Sequence, residues 1–441
     1  MKIAIIGSGI SGLVAARLLQ REHDITVFEA NDYAGGHTNT IGIDIAERHY
    51  EVDTGFIVFN ERTYPNFVRL LGELGVASKP TAMSFSVKCE ASGLEYSSRA
   101  IFAQRSNLVR PRFYRMLAEV LRFQRESKVL LDSTGDELEL GSYLARGGYS
   151  SDFVQKHIIP MGAAIWSTDP NTMLRFPARY FVRFFDNHGL LGLSEQPVWK
   201  VITGGSKQYI APLTASYAER IRLRCPVLSV RRHRDYVDVT SARGGSERFD
   251  HVVLATHSDQ ALSLLADPSE RERDILGALN YQPNEAVLHT DTSVLPRRRQ
   301  AWAAWNYHIL DRPGPVAVTY NMNILQQLDA PAQFCVTLNR SDAISPELVL
   351  RRFRYHHPFY TPAAIAAQQR CHEISGINRT VYCGAYWGNG FHEDGVVSAM
   401  KAVALVGRGV AVAPRPVQPR ATGLGPHRPM AQDEPTAQIA G

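Results

Sequence analysis

Apolar residues at the start of the chain alternate between strand-like and helix-like patterns. Residues 3–6 form an apolar run rich in isoleucine, which predicts a buried parallel strand. A helical repeat follows at 13–20, and a second apolar run at 25–28 predicts the next strand. Further apolar runs predict strands at 227–230, 237–240 and 250–256. This alternation of strand and helix predicts an α/β unit built on a parallel sheet.

A glycine-rich turn connects the first predicted strand to the first predicted helix. Gly7, Gly9 and Gly12 have G-x-G-x-x-G spacing and enclose Ser11. In such a turn the second glycine lets the backbone approach a pyrophosphate, which the helix N-terminus then faces. Glu29 ends the second predicted strand, 22 positions after Gly7, where it can accept hydrogen bonds from a ribose. This context favours a Rossmann-like dinucleotide site over an ordinary glycine turn, and we expect these five residues to contact the cofactor.

Nicotinamide and flavin dinucleotide sites share this pattern as far as Glu29. A glycine pair, Gly35-Gly36, follows six residues later. It resembles the pair in flavoproteins of the two-dinucleotide-binding-domain type, where backbone runs close to the FAD pyrophosphate. His37 comes next, at a position where most of that superfamily has arginine. The resemblance implies that FAD is the cofactor and that Gly35, Gly36 and His37 contact it.

Length and composition narrow the class of protein. A chain of 441 residues is too long for one ordinary core and predicts two domains. Its 44% hydrophobic and 21% charged residues are typical of a soluble globular protein, and a net charge of +5 gives no support for nucleic acid binding. Five scattered cysteines and histidines without ligand spacing indicate neither a disulfide framework nor a metal site. No apolar run approaches the ~20 residues of a membrane span, and the chain starts directly with a strand, so we expect a cytoplasmic protein.

Two long segments interrupt the cofactor-binding pattern. Residues 112–131 have helical apolar spacing and a basic opposite face, which is either a solvated surface or a face that lies on an anionic membrane. Residues 176–185 hold an aromatic cluster, which predicts either core packing or the wall of an apolar tunnel. The basic residues are Arg112, Arg115, Arg122, Arg125 and Lys128, and the aromatic residues are Phe176, Tyr180, Phe181, Phe184 and Phe185.

The interleaving of these segments resembles the flavin amine oxidase superfamily, which includes amine oxidases, protoporphyrinogen oxidases and carotenoid desaturases. The resemblance implies a Rossmann-like FAD-binding domain interleaved with an α+β substrate domain. The FAD-binding domain then comprises residues 1–80, 204–284 and 375–408, and the substrate domain comprises 81–203 and 285–374. Residues 409–441 have little apolar periodicity and predict a disordered tail.

The same resemblance implies further contacts to the flavin. Asp53, Gly55 and Phe56 fit a D-x-G segment that brings the chain beside the isoalloxazine ring. Val227 begins a predicted strand of the cofactor domain and is expected to contact FAD. Backbone N–H groups near a reduced flavin stabilise its negative charge. The resemblance places such groups at Gly384, Ala385, Gly395 and Val396.

A narrower resemblance lies in residues 384–395, together with 35–38 and 304–308. These segments are similar to a bacterial family of predicted NAD/FAD-binding proteins and to the flavoprotein domain fused to plant cyclopropane fatty acid synthases. The resemblance implies a lipophilic substrate, namely a fatty acyl chain, methylated or not, or a phospholipid that carries it. It also implies a fatty acid methyltransferase as a partner.

Candidate catalytic residues lie in the same C-terminal segment. Phe391 takes the place where amine oxidases have a cage tyrosine, and with Tyr386 and Trp387 it suits an apolar substrate. His392 and Glu393 are candidates for handling a proton. Glu393 could instead cap the last helix, which we expect from residue 396 onward.

Together these patterns predict an FAD-dependent oxidoreductase that removes hydride from a lipophilic substrate, as a desaturase or dehydrogenase of a fatty acyl chain. Two alternatives stay open at this point. One is an amine oxidase that releases hydrogen peroxide, and the other is a non-catalytic FAD-binding partner of a methyltransferase. The basic helix would place an otherwise cytoplasmic protein at the inner face of the membrane.

Overall fold

The computed structural model describes residues 1–132, 138–192, 196–311 and 314–406, so the predicted tail at 409–441 lies outside the described residues. The described strands are Lys2–Ile6 (β1), Asp24–Phe28 (β2), Thr40–Ile45 (β3), Arg48–Asp53 (β4), Phe59–Asn60 (β5), Ser78–Pro80 (β6), Phe85–Cys89 (β7), Glu95–Ser97 (β8), Trp199–Ile202 (β9), Ile221–Arg222 (β10), Val227–Arg232 (β11), Val237–Ser241 (β12), Gly245–Phe249 (β13), His251–Leu254 (β14), Asn280–His289 (β15), Trp305–Ile309 (β16), Ala317–Asn321 (β17), Cys335–Leu338 (β18), Val349–Phe359 (β19) and Thr380–Tyr382 (β20). The described α-helices are Ile10–Leu19 (α1), Pro65–Glu73 (α2), Pro111–Glu126 (α3), Val129–Asp132 (α4), Leu140–Arg146 (α5), Ser151–Phe153 (α6), Ile159–Trp166 (α7), Pro170–Leu174 (α8), Ala178–Asn187 (α9), Ile210–Thr214 (α10), Ser258–Leu264 (α11), Glu270–Gly277 (α12), Met322–Leu325 (α13), Pro362–Gln369 (α14) and His392–Val406 (α15).

A parallel sheet carries the cofactor end of the molecule. Its described strands run in the order β10-β2-β1-β14-β20. Ile5 pairs with Val27 on one side and with Val253 on the other, and all three are buried. Helices α1 and α15 cover one face, while strands β11 and β12 with helices α11 and α12 cover the other. Burial on both faces explains why the strand sequences are continuously apolar.

The second large sheet joins the two segments that interrupt the cofactor-binding pattern. Its described strands run in the order β19-β15-β18-β17-β16-β7-β8, with β7 parallel to β16 and the other neighbours antiparallel. Helices α3, α5, α7 and α9 pack beside it around a core rich in aromatic residues. The fold therefore combines a Rossmann-like α/β part with an α+β part, as the sequence predicts. Strand β15 runs across residue 284, where the sequence suggests a domain boundary.

Three predicted helix limits are wrong. Helix α1 begins at Ile10, before the third glycine of the motif, and not at residue 13. The basic helix is broken at Ser127 into α3 and α4. Helix α15 begins at His392 and not at residue 396, because the Asp394 carboxylate accepts a hydrogen bond from the Phe391 backbone N–H (2.9 Å) and so favours an earlier start. Among the described residues, the helices fall short of the length and apolar content needed to cross a bilayer.

Candidate functional site

A cavity of about 1290 Å³ lies between the carboxyl edge of the parallel sheet and the seven-stranded sheet. Carboxyl ends of parallel strands meet at one edge, so the residues that follow β1, β2, β14 and β20 all reach it. Residues 7–11, 29–31, 255–257 and 384–386 line this cofactor end. Helices α3, α7 and α9 line the other end, which we call the apolar branch.

The glycine turn after β1 is built for a close ligand. Gly7 has φ +102°, and a Cβ there would lie 2.8 Å from the Ala255 carbonyl oxygen. A Cβ on Gly12 would lie 1.9 Å from the Gly7 carbonyl oxygen, so α1 can start directly behind the turn. A Cβ on Gly9 would meet no atom within 4 Å. The turn therefore leaves open space at the N-terminus of α1, where a pyrophosphate fits.

Glu29 is held at the end of β2 by internal hydrogen bonds. Its Oε2 accepts from the Ser8 N–H (2.9 Å) and the Ser8 hydroxyl (2.6 Å), and its Oε1 accepts from the Asn31 N–H (2.8 Å). A carboxylate has further lone pairs, so it can still accept from a ribose. Val227 and the buried Ser11, which the sequence suggests as cofactor contacts, line the same end of the cavity.

The second glycine pair closes onto the first turn. The Gly35 N–H donates to the Ser8 carbonyl (2.9 Å), and a Cβ on Gly36 would lie 3.2 Å from the Gly9 Cα. Both glycines and His37 line the cavity. The pair thus brings His37 to the open side of the glycine turn.

His37 belongs to a group of four histidines, here called the histidine cluster, that comprises His37, His257, His356 and His357. All four line the cavity, and the His37 ring centroid lies 5.5 Å from that of His357 and 6.1 Å from that of His257. Burial lowers the pKa of His37 and of His357 to about 3 and that of His257 to about 4. The sequence does not predict His257, His356 and His357 as site residues, because no local spacing connects the loop after β14 with strand β19.

The D-x-G segment packs against the glycine pair. A Cβ on Gly55 would lie 2.3 Å from the His37 carbonyl oxygen, which also accepts from the Phe56 N–H (2.8 Å). Gly55 and Phe56 line the cavity. Asp53 is buried behind them, where it accepts from the Thr40 hydroxyl (2.6 Å) and the Ser206 N–H (2.8 Å). Burial raises the pKa of Asp53 to about 6, although these hydrogen bonds oppose the shift.

The C-terminal segment reaches the cavity with only some of its predicted residues. Gly384, Ala385, Tyr386, Phe391 and His392 line it. Gly395 and Val396 do not, because helix α15 packs tightly on α1 at this point. A Cβ on Gly395 would lie 2.7 Å from Ile10 Cγ2, and Val396 is buried in the core. Trp387 also lies outside the lining, with its ring centroid 4.9 Å from that of Tyr386.

Of the two proton-handling candidates, His392 faces the cavity and Glu393 does not. The His392 ring stacks on Phe56 with centroids 3.5 Å apart. Its Nε2 lies 3.0 Å from the Thr38 hydroxyl and 3.2 Å from the Tyr209 hydroxyl. Burial lowers the pKa of His392 well below its usual range, so the ring is neutral. Glu393 instead points to helix α2.

The apolar branch contains part of the predicted aromatic cluster. Phe184 and Phe185 line it, whereas Phe176, Tyr180 and Phe181 pack behind them around Trp166. Different members of the same cluster thus form the wall of the cavity and the core behind it. Phe391 connects the branch to the cofactor end, because its ring lies 5.3 Å from Phe184. Among the described residues that line the whole cavity, Glu29 is the only carboxylate.

Comparison with known proteins agrees with this geometry. The family model for flavin-containing amine oxidoreductases matches residues 10–316. A Mycobacterium tuberculosis protein, AofH, assigned by name to the flavin-containing monoamine oxidases, is 25% identical over 274 residues, which are 60% of this chain and 59% of that protein. A 1-hydroxycarotenoid 3,4-desaturase of a Flavobacterium species is 42% identical over 74 residues, 17% of this chain and 14% of the relative. The chain therefore matches less than two thirds of the length of these relatives.

Solved structures show the same fold. Cyclohexylamine oxidase from Brevibacterium oxydans IH-35A has a TM-score of 0.65 at 16% identity, over 92% of this chain and 98% of that one. A CLA-producing fatty acid isomerase from P. acnes has a TM-score of 0.65 at 17% identity, over 92% and 97%.

The residues at the cofactor end fit FAD. The open space at Gly9 and the N-terminus of α1 suit its pyrophosphate, and the Glu29 carboxylate suits a ribose. The cavity continues past Phe56, which leaves room for the flavin ring. The chain belongs to the flavin-containing amine oxidoreductase family.

Proposed function

We propose that this enzyme dehydrogenates a fatty acyl chain. The observation that carries the proposal is the apolar branch, which continues the cofactor cavity between helices α3, α7 and α9. Its lining includes Phe123, Phe153, Ile158, Met161 and Ile165. Such a surface binds a hydrocarbon chain through apolar burial, at roughly 25 cal/mol per Å² removed from water.

The two ends of the cavity would have different roles, with FAD at the cofactor end and the acyl chain in the apolar branch. Residues of the glycine turns, Glu29 and the segment after β20 would hold FAD, which when bound supplies the hydride acceptor. Phe391 and Phe184 line the passage between the two ends and exclude water from it. The neutral His392 ring, which the Thr38 and Tyr209 hydroxyls hold in place, is the candidate acceptor for the proton that leaves with the hydride, although burial makes it a weaker base than an exposed histidine.

Two similar proteins support an apolar substrate. One is named a carotenoid desaturase and the other a fatty acid isomerase, and both names describe long hydrocarbon substrates. The narrower resemblance to the flavoprotein domain of plant cyclopropane fatty acid synthases supports a methylated acyl chain. The methyltransferase partner that this resemblance implies stays a prediction.

Amine oxidation is the second candidate, and the family itself favours it. Cyclohexylamine oxidase and the M. tuberculosis relative carry amine oxidase names. However, a protonated amine in the apolar branch would have no carboxylate partner, because the only carboxylate among the described lining residues is Glu29, at the cofactor end. Burying an unpaired ammonium group is costly. The geometry therefore supports the acyl chain better.

Anaerobic titration of the purified FAD-loaded protein tests the proposal. We expect fatty acyl lipids to bleach the visible absorption of the flavin and mass spectrometry to show product lipids two hydrogens lighter. Hydrogen peroxide release with amines, and no bleaching by lipids, would favour amine oxidation. Bound FAD that neither class reduces would favour a non-catalytic role beside a methyltransferase.

A variant in the apolar branch tests whether the acyl chain of the substrate lies there. Met161 lines the branch on helix α7. We expect Met161→Trp to shorten the longest acyl chain that reduces the flavin, because the larger side chain fills the branch. The FAD content per chain should stay unchanged, since Met161 lies away from the glycine turns. An unchanged chain-length preference would contradict the assignment of the branch to the substrate.

A further inference from the structure

Exposed apolar side chains are concentrated in one short part of the sequence. Of the thirteen large hydrophobic residues that are exposed in the described chain, seven lie between residues 101 and 129. Val109 is 81% exposed and Leu121 is 54% exposed. Exposed apolar residues scattered singly need no explanation, but a group of this kind marks an interaction site. These seven residues are Ile101, Phe102, Leu108, Val109, Tyr114, Leu121 and Val129.

Contacts join several of these residues into one patch. The Phe102 and Tyr114 ring centroids lie 6.0 Å apart, and the Tyr114 hydroxyl donates to the Leu108 carbonyl (3.1 Å). Leu121 lies seven residues after Tyr114 on α3, hence two turns further along the same helix face. The patch therefore runs along the outer side of α3 and over the loop that precedes it.

The same surface borders the mouth of the cavity. Leu117 and Val120 of α3 line the apolar branch, and Leu117 lies close to the Tyr114–Leu121 face because three and four residues separate them. Ile101 belongs to both sets, since it is 36% exposed and lines the cavity. An apolar path therefore leads from the outer surface into the branch.

Cations surround this apolar patch. Residues 99–129 contain eight Lys and Arg residues and two Glu residues. Glu119 is buried and bound to Ser150, and Glu126 pairs with Arg122 and Arg125. The outward charge of this region is thus strongly positive. A surface that is apolar at the centre and basic around it complements an anionic bilayer.

A basic cleft lies at the edge of the patch. It has a volume of about 490 Å³ and is lined by Ala103, Arg105, Ser106, Arg298, Arg299 and Gln300. Arg298 pairs with Glu95 (2.9 Å), and the Arg299 guanidinium lies over the Trp302 ring (5.3 Å). Guanidinium groups recognise phosphate through paired N–H donors, so this cleft suits a lipid phosphate group.

We propose that residues 99–129 form a docking surface for an anionic phospholipid bilayer, and that acyl chains enter the cavity from the bilayer past Ile101 and Leu117. The second part rests on the proposed function; the first does not. Apolar side chains would enter the acyl region, while the surrounding arginines and the basic cleft would contact the phosphates. We call this surface the docking surface.

Vesicle co-sedimentation of the full FAD-loaded chain tests docking. We expect binding to vesicles of equal parts phosphatidylcholine and phosphatidylglycerol, weaker binding to phosphatidylcholine alone, and release as salt rises. The double variant Val109→Glu with Leu121→Glu should weaken binding about tenfold or more, because two inserted apolar groups are replaced by repelled charges. Arg105→Gln with Arg299→Gln should reduce the preference for the anionic vesicles.

A matched variant controls for the general effect of an added carboxylate. Leu405 on α15 is 55% exposed, nearly the same as Leu121, but lies outside the docking surface. Leu405→Glu should bind vesicles as the parent does, and all variants should keep their FAD. Equal vesicle binding by the parent and the Val109→Glu/Leu121→Glu variant, or no binding to anionic vesicles at all, would overturn the proposal.

The two proposals can fail separately. If detergent-dispersed acyl lipid bleaches the flavin but the protein ignores vesicles, docking is wrong and the proposed function stands. If vesicles bind the parent and not the double variant, while no lipid bleaches the flavin, docking stands and the acyl substrate is wrong.

Discussion

The Glu393 carboxylate of helix α15 accepts a hydrogen bond from the Asn66 side-chain amide of helix α2 at 2.6 Å. The same carboxylate accepts from the backbone N–H of Asn66 (3.1 Å) and of Phe67 (2.9 Å). These N–H groups belong to the first turn of α2, where no partner within the helix is available. Glu393, in the first turn of α15, therefore caps the N-terminus of α2. It also joins α2 to α15, the helix that borders the cofactor end.

This contact predicts a stabilising role for Glu393. We expect Glu393→Ala to lower the free energy of unfolding by about 1–3 kcal/mol, because three buried donors lose their acceptor. Urea unfolding of the FAD-loaded protein measures the change. Glu73→Ala is the matched control, since Glu73 lies at the other end of α2 but is 51% exposed and makes only surface ion pairs. Normal stability together with lost turnover would instead favour proton transfer by Glu393.

His392 is predicted to affect turnover and not folding. We expect His392→Gln to keep FAD and to lower kcat by about a hundredfold, since proton transfer by a positioned side chain typically contributes at least that much. Tyr209→Phe should have a smaller effect, because Thr38 still contacts the ring. Rapid-mixing measurement of flavin bleaching separates this loss from weaker substrate binding. His372→Gln, at an exposed histidine, should behave as the parent.

The pH profile gives a second test of His392. Burial lowers the pKa of His392 well below its usual range, so the ring is already neutral at ordinary pH. Acidification should therefore not protonate it until the pH falls far below the usual range for histidine. We expect the rate of flavin bleaching to be flat between about pH 6 and 8. A loss of rate with a midpoint near the ordinary histidine pKa, absent from His392→Gln, would contradict this assignment of the charge.

The cofactor end could be predicted because its information is local. A glycine turn fixes the backbone within six residues, and Glu29 follows at a spacing set by one helix and one strand. The buried strands could be predicted for the same reason, because a continuous apolar run is typical of a strand that is covered on both faces. Gly55 could be predicted only in part. The sequence indicates that this glycine lies beside the flavin ring, and the structure shows that the group nearest to it within the chain is the His37 carbonyl.

Contacts between distant segments could not be predicted in the same way. Glu393 and Asn66 are 327 residues apart, and the histidine cluster combines residues from a glycine loop, the end of β14 and strand β19. No periodicity connects such positions, because tertiary packing alone brings them together. The aromatic cluster at 176–185 shows the same limit, since four of its five residues lie on helix α9 but only Phe184 and Phe185 face the cavity.

The histidine cluster predicts that FAD binding depends on pH. Without a bound anion, burial keeps His37, His257 and His357 neutral at pH 7, because it lowers their pKa to about 3 or 4. A pyrophosphate at the neighbouring glycine turn would favour their charged forms and raise these pKa values. Binding should then take up protons, so affinity should increase as the pH falls from about 8 to 6. Arg354 on strand β19 also lines the cavity and adds a fixed positive charge.

Calorimetry measures this proton uptake directly. FAD titrations of the apoprotein in two buffers of different ionisation enthalpy give the number of protons bound. We expect His37→Gln and His257→Gln each to reduce that number and to flatten the pH dependence of affinity. His49→Gln, at an exposed histidine paired with Asp44 and Glu51, should change neither. Equal heats in both buffers would show that the cluster stays neutral when FAD binds.

A buried ion pair behind the parallel sheet predicts the acid stability of the protein. Arg232 and Glu272 have 2% and 3% exposed side chains and form two hydrogen bonds, of 2.5 and 2.9 Å. The Tyr382 hydroxyl, two residues before Gly384, also donates to Glu272 (2.5 Å). Burial alone would raise the pKa of Glu272, but these hydrogen bonds lower it to about 2.

Because the pKa of Glu272 is lower in the folded state, its contribution is complete above the ordinary value of 4.5 and is lost as the pH falls toward about 2. We expect Glu272→Gln to lower the free energy of unfolding at neutral pH by about 3 kcal/mol, since Arg232 then keeps only part of its charge compensation. The variant should also lose less stability than the parent on acidification through this window. Glu247→Gln is the control, because the Arg222–Glu247 pair is partly exposed and should cost less than about 1 kcal/mol. Parallel acid unfolding curves for the parent and Glu272→Gln would show that other carboxylates set the acid limit.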